Sequence, residues 1–162
     1  MINLDNPQWE YVGQGSYGEV YRLAGTNLAL KLMKAYTAHS PERYNFGSAL
    51  GELMRGLGLN KSRHSPRFYG VLMTTFIGPD SNRRMYGPGI LMEYVGDKIK
   101  GIRYSRFSAM FTKANKDFNK YGYEIYDPNH DNFRVIRNKN GSIKKFWYVD
   151  MGGVRRLSHE RA

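Results

Sequence analysis

Between Trp9 and Leu23, two β-prone runs flank the glycine-rich turn Gly13-Gln14-Gly15-Ser16-Tyr17-Gly18, and after the third glycine the chain resumes as strand in Glu19-Val20-Tyr21. That continuation excludes a large class of folds. A dinucleotide-binding fingerprint with the same glycine spacing opens a helix after its third glycine, whereas this pattern reads as a β-hairpin with glycines at its tip. Gly13, Gly15, Gly18 and Val20 fit G-x-G-x-x-G-x-V. Glycines let backbone amides approach phosphate oxygens without obstruction, and Val20 offers an apolar cover for a base. The plainer alternative is an ordinary hairpin with flexible glycines.

The next run, Leu28-Ala29-Leu30-Lys31-Leu32-Met33, is an apolar strand interrupted by one lysine. An ammonium there must meet an anion or lose hydration; the phosphates of a nucleotide meet that need, and a lysine snorkelling from a half-exposed strand is the bland reading. Ser40-Pro41-Glu42 then reads as a helix start, with Phe46, Leu50, Leu53, Met54 and Leu57 at helical spacing. Glu52, mid-helix, is the first candidate partner for Lys31 and Glu42 the runner-up. Two strands follow, Arg67 to Met73 and Gly89 to Asp97, joined by the turn-rich Gly78-Pro79-Asp80-Ser81-Asn82-Arg83-Arg84. Phe107, Met110, Phe111, Ala114 and Phe118 predict an amphipathic helix between Tyr104 and Tyr121. Beyond it, Tyr126-Asp127-Pro128-Asn129-His130-Asp131-Asn132 carries an Asp and an Asn in D-x-x-x-x-N spacing. A hairpin with an Asn140-Gly141 turn then leads into Val149-Asp150-Met151-Gly152. Alone, Asp and Asn beside Pro and Gly are turn residues.

Charge and composition narrow the function classes. With 25 Lys and Arg against 14 Asp and Glu, the chain carries +11, which favours acidic partners such as nucleotide phosphates, nucleic acid, anionic membrane or an acidic protein face. Zero cysteines exclude disulfides, thiol nucleophiles and thiolate zinc sites. No apolar run is long enough for a membrane-spanning helix, and the polar, acidic stretch Met1 to Trp9 is not that of a cleavable secretory signal.

Taken in order, the glycine loop, Lys31, the strand ending Met92-Glu93-Tyr94-Val95, Asp127 with Asn132, and Asp150 with Gly152 resemble the ordered motifs of a protein kinase. More closely, the chain is similar to the minimal effector kinases that bacteria inject into host cells, of the HopBF family of type III effectors. The resemblance implies an α+β, reduced protein-kinase-like fold. It would have an antiparallel β-sheet N-lobe and hinge over 1–95 and a truncated, mostly helical C-lobe over 96–162. It implies ATP and Mg2+ as cofactors, with Gly13, Gly15, Gly18, Val20, Ala29, Lys31, Glu52, Met92, Glu93, Val95 and Asp97 around the nucleotide. Asp127 would be the catalytic base, Lys31 the phosphate anchor, and Asn132 and Asp150 the metal ligands. It further implies type III secretion and action in the host cytoplasm on a host protein, the ninety-kilodalton heat-shock chaperone. Neither nucleic acid nor a membrane span is expected.

Four departures accompany the resemblance. Tyr126 stands where many kinases carry an Arg that answers a phosphorylated activation loop, and Asn129 where serine/threonine kinases place a Lys, for which His130, Arg155 or Arg156 would compensate. Met151 replaces the Phe of D-F-G. Only ten residues follow Gly152, without A-P-E or later helices. Two other classes compete with the enzyme: a nucleotide-binding pseudokinase serving as an interaction module, and a basic nucleic-acid binder.

Overall fold

The computed structural model describes residues 1–15, 18–33, 46–77, 84–99 and 101–158. The chain is α+β and divides into two compact units, Met1–Leu53 with Phe68–Tyr94, and Met54–Arg67 with Val95–Ala162.

The first unit is built on a six-stranded sheet. Its strands are β1 (Ile2–Asn3), β2 (Trp9–Gly15), β3 (Gly18–Leu23), β4 (Leu28–Met33), β5 (Phe68–Ile77) and β6 (Arg84–Glu93), in the order β1-β5-β6-β4-β3-β2. Every pairing is antiparallel except that of β1 with β5. The glycine-rich segment is the hairpin β2–β3, in which Gly15 pairs with Gly18. The last strand begins and ends earlier than the Gly89 to Asp97 expected from the sequence, because its ladder with β5 already starts at Arg84.

Alternation along β4 divides the sheet's two faces. Leu30 and Leu32 join Leu4 and Phe76 in an apolar cluster flanked by Ile2, Trp9, Tyr21 and Met85. Lys31 and Ala29 point the other way. Register puts Val20 and Ile90 beside Lys31, and Met92 beside Ala29, on this second face.

The helix α1 (Phe46–Gly58) reaches that face through Glu52, which meets Lys31. Its buried positions are Ala49, Glu52, Leu53 and Gly56, while Phe46 (54% exposed), Leu50 (45%), Met54 (56%) and Leu57 (41%) face outward. The spacing thus marks the helix but not its inner side. The Glu52 carboxylate turns its side of the helix toward Lys31. Leu50→Gln and Met54→Gln are expected to change stability by less than about 0.5 kcal/mol, and Leu53→Ala to cost about 2–5 kcal/mol, read from urea denaturation midpoints. Equal losses at all three positions would contradict this orientation.

The second unit contains β7 (Asp97–Lys98), α2 (Tyr104–Asn119), β8 (Tyr123–Ile125), β9 (Phe133–Arg137), β10 (Ile143–Tyr148) and β11 (Val154–Arg156). These strands form a three-stranded sheet, β10-β9-β7, and a two-stranded one, β11-β8. The expectation of a mostly helical second part is therefore corrected. The alternating Phe133, Val135 and Phe146, Tyr148 are buried as strand residues against α2, where Phe107 packs edge-on to Phe133 and Phe118 to Tyr148. The hairpin turn between β9 and β10 puts Gly141 at φ 78°, a left-handed conformation that glycine adopts without steric cost.

Residues 54–67 also belong to this second unit, not to the 1–95 unit expected from the sequence. Ser62 Oγ (2.7 Å) and the Arg63 amide (2.9 Å) donate to the buried Asp117 carboxylate. The Tyr148 amide donates to the His64 carbonyl at 2.7 Å, and the His64 ring stacks on Phe146 at 4.2 Å.

This junction gives the fold a pH dependence. Burial lowers the His64 pKa from its ordinary 6.5, against the opposing Phe146 carbonyl and Asp117 charge. Burial alone would raise Asp117, but hydrogen bonds from Ser62, Arg63 and Lys120 outweigh it and lower its pKa from the ordinary 3.8. Both groups bind protons more weakly folded than unfolded, so stability rises with pH. The His64 contribution is complete above its unfolded value and is lost as pH falls through the folded one; Asp117 acts the same way lower on the scale. The urea midpoint is expected to fall from pH 7 to pH 5, and His64→Gln to flatten that fall. An unchanged slope in the variant would contradict the assignment.

Candidate functional site

In the first unit, Lys31 Nζ lies 2.7 Å from Glu52 Oε1, with the lysine side chain 12% exposed and the glutamate 1%. Lys31 is thus held against a carboxylate inside the unit rather than snorkelling from a half-exposed strand. The runner-up partner, Glu42, lies outside the described residues. Because Val20, Ala29, Lys31 and Met92 share one face of three adjacent strands, the sheet gathers four of the expected nucleotide residues around one buried ion pair. The glycine hairpin adjoins them through β3: a Cβ on Gly18 would strike the Leu32 carbonyl, so only glycine fits there. Glu93 closes β6, where the Tyr94 amide donates to the Asn27 carbonyl at 2.8 Å.

The second unit holds the remaining candidates. Val95 is buried there, and Asp97 is exposed on β7 opposite Val135. Asp127, Asn132 and Asp150 come together around the short segment Met151–Gly153. The Tyr126 and Asp127 amides both donate to the Gly153 carbonyl (3.0 and 3.4 Å), the Gly153 amide donates to the Asp150 carbonyl (3.0 Å), and the Val149 amide donates to the Asn132 carbonyl (2.8 Å). A Cβ on Gly153 would stand 3.0 Å from the Asp127 Cβ and strike the Tyr148 hydroxyl, so the closeness of the two loops depends on that glycine. Asn132 Nδ2 donates to Asp127 Oδ2 at 3.3 Å. Asp150 caps the turn that follows it, accepting from the Gly152 amide at 3.2 Å.

Arg55 and Tyr148 were not singled out in the sequence, and Tyr126 was noted only as a departure from the kinase pattern. Arg55, on α1, donates from Nε to the Met151 carbonyl at 2.6 Å and so fixes the residue that follows Asp150. Tyr126 donates its hydroxyl to the Gly152 carbonyl at 2.7 Å, a tie between the two acidic loops where an Arg was the comparison. Tyr148 donates to the Asp127 carbonyl at 2.9 Å. Strand alternation, which puts Phe146 and Tyr148 on one side of β10 just ahead of Asp150, is the sequence signal that would have found it.

The basic residues considered as stand-ins for the missing lysine differ in their engagements. Arg155 donates to Glu124 at 2.7 Å, Arg156 lies over the Tyr123 ring, and His130 is exposed beside Asp131 at 3.6 Å. Asn129 itself accepts from the Asp131 amide at 3.0 Å, capping the turn that carries Asn132.

The donor set fits a hard divalent cation that takes most of its ligands from phosphate and water. Among the described residues, no three His, Cys, Asp or Glu side chains are grouped to cage a metal ion. Asp150 offers carboxylate oxygen, and Asn132 offers Oδ1, turned away from Asp127 because Nδ2 faces it. One or two protein oxygens are what Mg2+ takes when a nucleotide supplies the rest. No helix among the described residues is long and apolar enough to cross a membrane. In comparisons with known proteins, the chain matches no protein-family model and shows no significant match to a curated protein.

Proposed function

We propose that the protein is an ATP-dependent phosphotransferase of the protein-kinase class, with a reduced kinase-like fold that takes a Mg2+-bound nucleotide. The observation that carries this reading is the pairing of Lys31 with Glu52 in one unit together with the cluster of Asp127, Asn132 and Asp150 in the other. More particularly, the motif order supports a bacterial type III effector kinase of the HopBF kind. It would be delivered to the host cytoplasm and act on a host protein, the ninety-kilodalton heat-shock chaperone.

In this reading Lys31, aligned by Glu52, holds the α and β phosphates, Val20, Ala29 and Met92 line the base, and the glycine hairpin covers the phosphates. Backbone groups of Glu93 and Val95 meet the base edge, and Asp97 meets the ribose. Asn132 and Asp150 would hold Mg2+, which when bound neutralises the phosphate charge. Asp127 orients the acceptor hydroxyl and takes its proton as the hydroxyl oxygen bonds to the γ-phosphorus. The bond from γ-phosphorus to the bridging oxygen breaks, and ADP leaves. Most of the acceleration comes from positioning and charge neutralisation.

The test is transfer of labelled γ-phosphate to protein in a host-cell extract, with the modified sites read by mass spectrometry. Labelling of a defined Ser, Thr or Tyr by the wild type, and none by Asp127→Ala or Asp150→Ala, is expected. Equal labelling by all three proteins overturns the proposal. One observation favours a second reading, a nucleotide-binding pseudokinase: position 129 carries no ammonium and Asn129 serves as a turn cap. That reading predicts a thermal shift with ATP and Mg2+ but no transfer.

A further inference from the structure

Tyr148 has no role in the reading above, yet its hydroxyl stands where the two acidic loops meet. The residue is fully buried, edge-on to Phe133 and Phe118 at centroid distances of 5.2 and 6.1 Å. Its hydroxyl lies 2.9 Å from the Asp127 carbonyl and 3.4 Å from Asn132 Nδ2.

The chemistry of these groups fixes the direction of each bond. A carbonyl only accepts, so the single hydroxyl proton goes to Asp127. The hydroxyl then turns a lone pair toward Asn132 and requires a donor there, which selects the amide nitrogen. The second hydrogen on Nδ2 reaches Asp127 Oδ2 at 3.3 Å. Both amide hydrogens are then engaged, and Oδ1 faces away from them.

We propose that Tyr148 is a positioning residue that sets which end of the Asn132 amide is offered to a metal and holds the Asp127 backbone in place for proton transfer. The metal and proton-transfer roles rest on the phosphotransferase reading; the bonding pattern does not. Tyr126 ties the same loop from the side, through Gly152, but does not touch the Asn132 amide.

The experiment compares wild type and Tyr148→Phe, which keeps the ring and removes only the hydroxyl. The expected result is a fall in kcat of about 10- to 100-fold with the KM for ATP within about two-fold, and a higher Mg2+ concentration for half-maximal rate. A purely structural role would lower the melting temperature without this split. An unchanged kcat and Mg2+ requirement overturns the proposal. A second measurement needs neither activity nor the variant: nuclear Overhauser contacts in the wild type between the Tyr148 ring or hydroxyl and the Asn132 side-chain amide protons. Their presence with no phosphotransfer in the wild type would sink the enzyme reading and keep the orienting role; their absence sinks the orienting role itself.

Discussion

Asp127→Asn is expected to lower γ-phosphate transfer by about 10²- to 10⁴-fold, the range for losing a positioned general base, while nucleotide binding changes little. The substitution keeps the side chain's shape, so the loop's backbone ties to Gly153 and Tyr148 persist. Asp150→Asn acts differently. It retains an oxygen that can accept from the Gly152 amide but removes the charge available to a cation. Its transfer should fall by a similar factor and recover in part at high Mg2+, whereas Asp127→Asn should not respond to added Mg2+. Rates measured against Mg2+ concentration separate the two roles. Identical Mg2+ dependence for both variants would mean that the carboxylates are not divided between proton and metal.

Glu52→Ala is expected to have the largest effect on stability. Removing one member of a buried ion pair leaves the other charge desolvated, at a cost of about 3–5 kcal/mol. Lys31 and Glu52 are both mostly enclosed, at 2.7 Å. For a chain of this size the melting temperature should drop by roughly 10 °C. The double variant Lys31→Met with Glu52→Leu removes both charges and fills the space with apolar atoms; its stability should return to within about 2 kcal/mol of wild type. Its phosphotransfer should remain absent, because no ammonium reaches the phosphates. That divergence separates a pair kept for stability from one kept for function: recovery of stability without activity supports function, and recovery of neither favours a structural role.

Much of the first unit was legible because strands announce themselves locally. The glycine hairpin and the lysine-bearing strand follow from alternation and turn chemistry within a few residues, and the same alternation groups Val20, Ala29, Lys31 and Met92 on one face. What escaped was set by long-range contact. The apolar residues of α1 mark a helix, but which side is buried depends on Glu52 reaching Lys31. The attachment of residues 54–67 to the second unit rests on Asp117 accepting from Ser62 and Arg63, more than fifty positions apart in sequence. No periodicity encodes such a pairing. The strand content of the second part was visible in its β9–β10 hairpin; the expectation of a mostly helical lobe came from the resemblance rather than from those residues.

The central claim is that the chain takes a metal-bound nucleotide, with Asn132 and Asp150 as the metal ligands and Lys31 as the phosphate anchor. The most direct test replaces Mg2+ with paramagnetic Mn2+ in the presence of ATP and follows amide signals by NMR. The account predicts strong broadening at Asn132, Asp150 and Gly152, removed by excess EDTA, and ATP-dependent shift changes at Val20 and Lys31. No broadening at Asn132 and Asp150 with ATP present, or the same broadening without ATP, would contradict the metal–nucleotide reading.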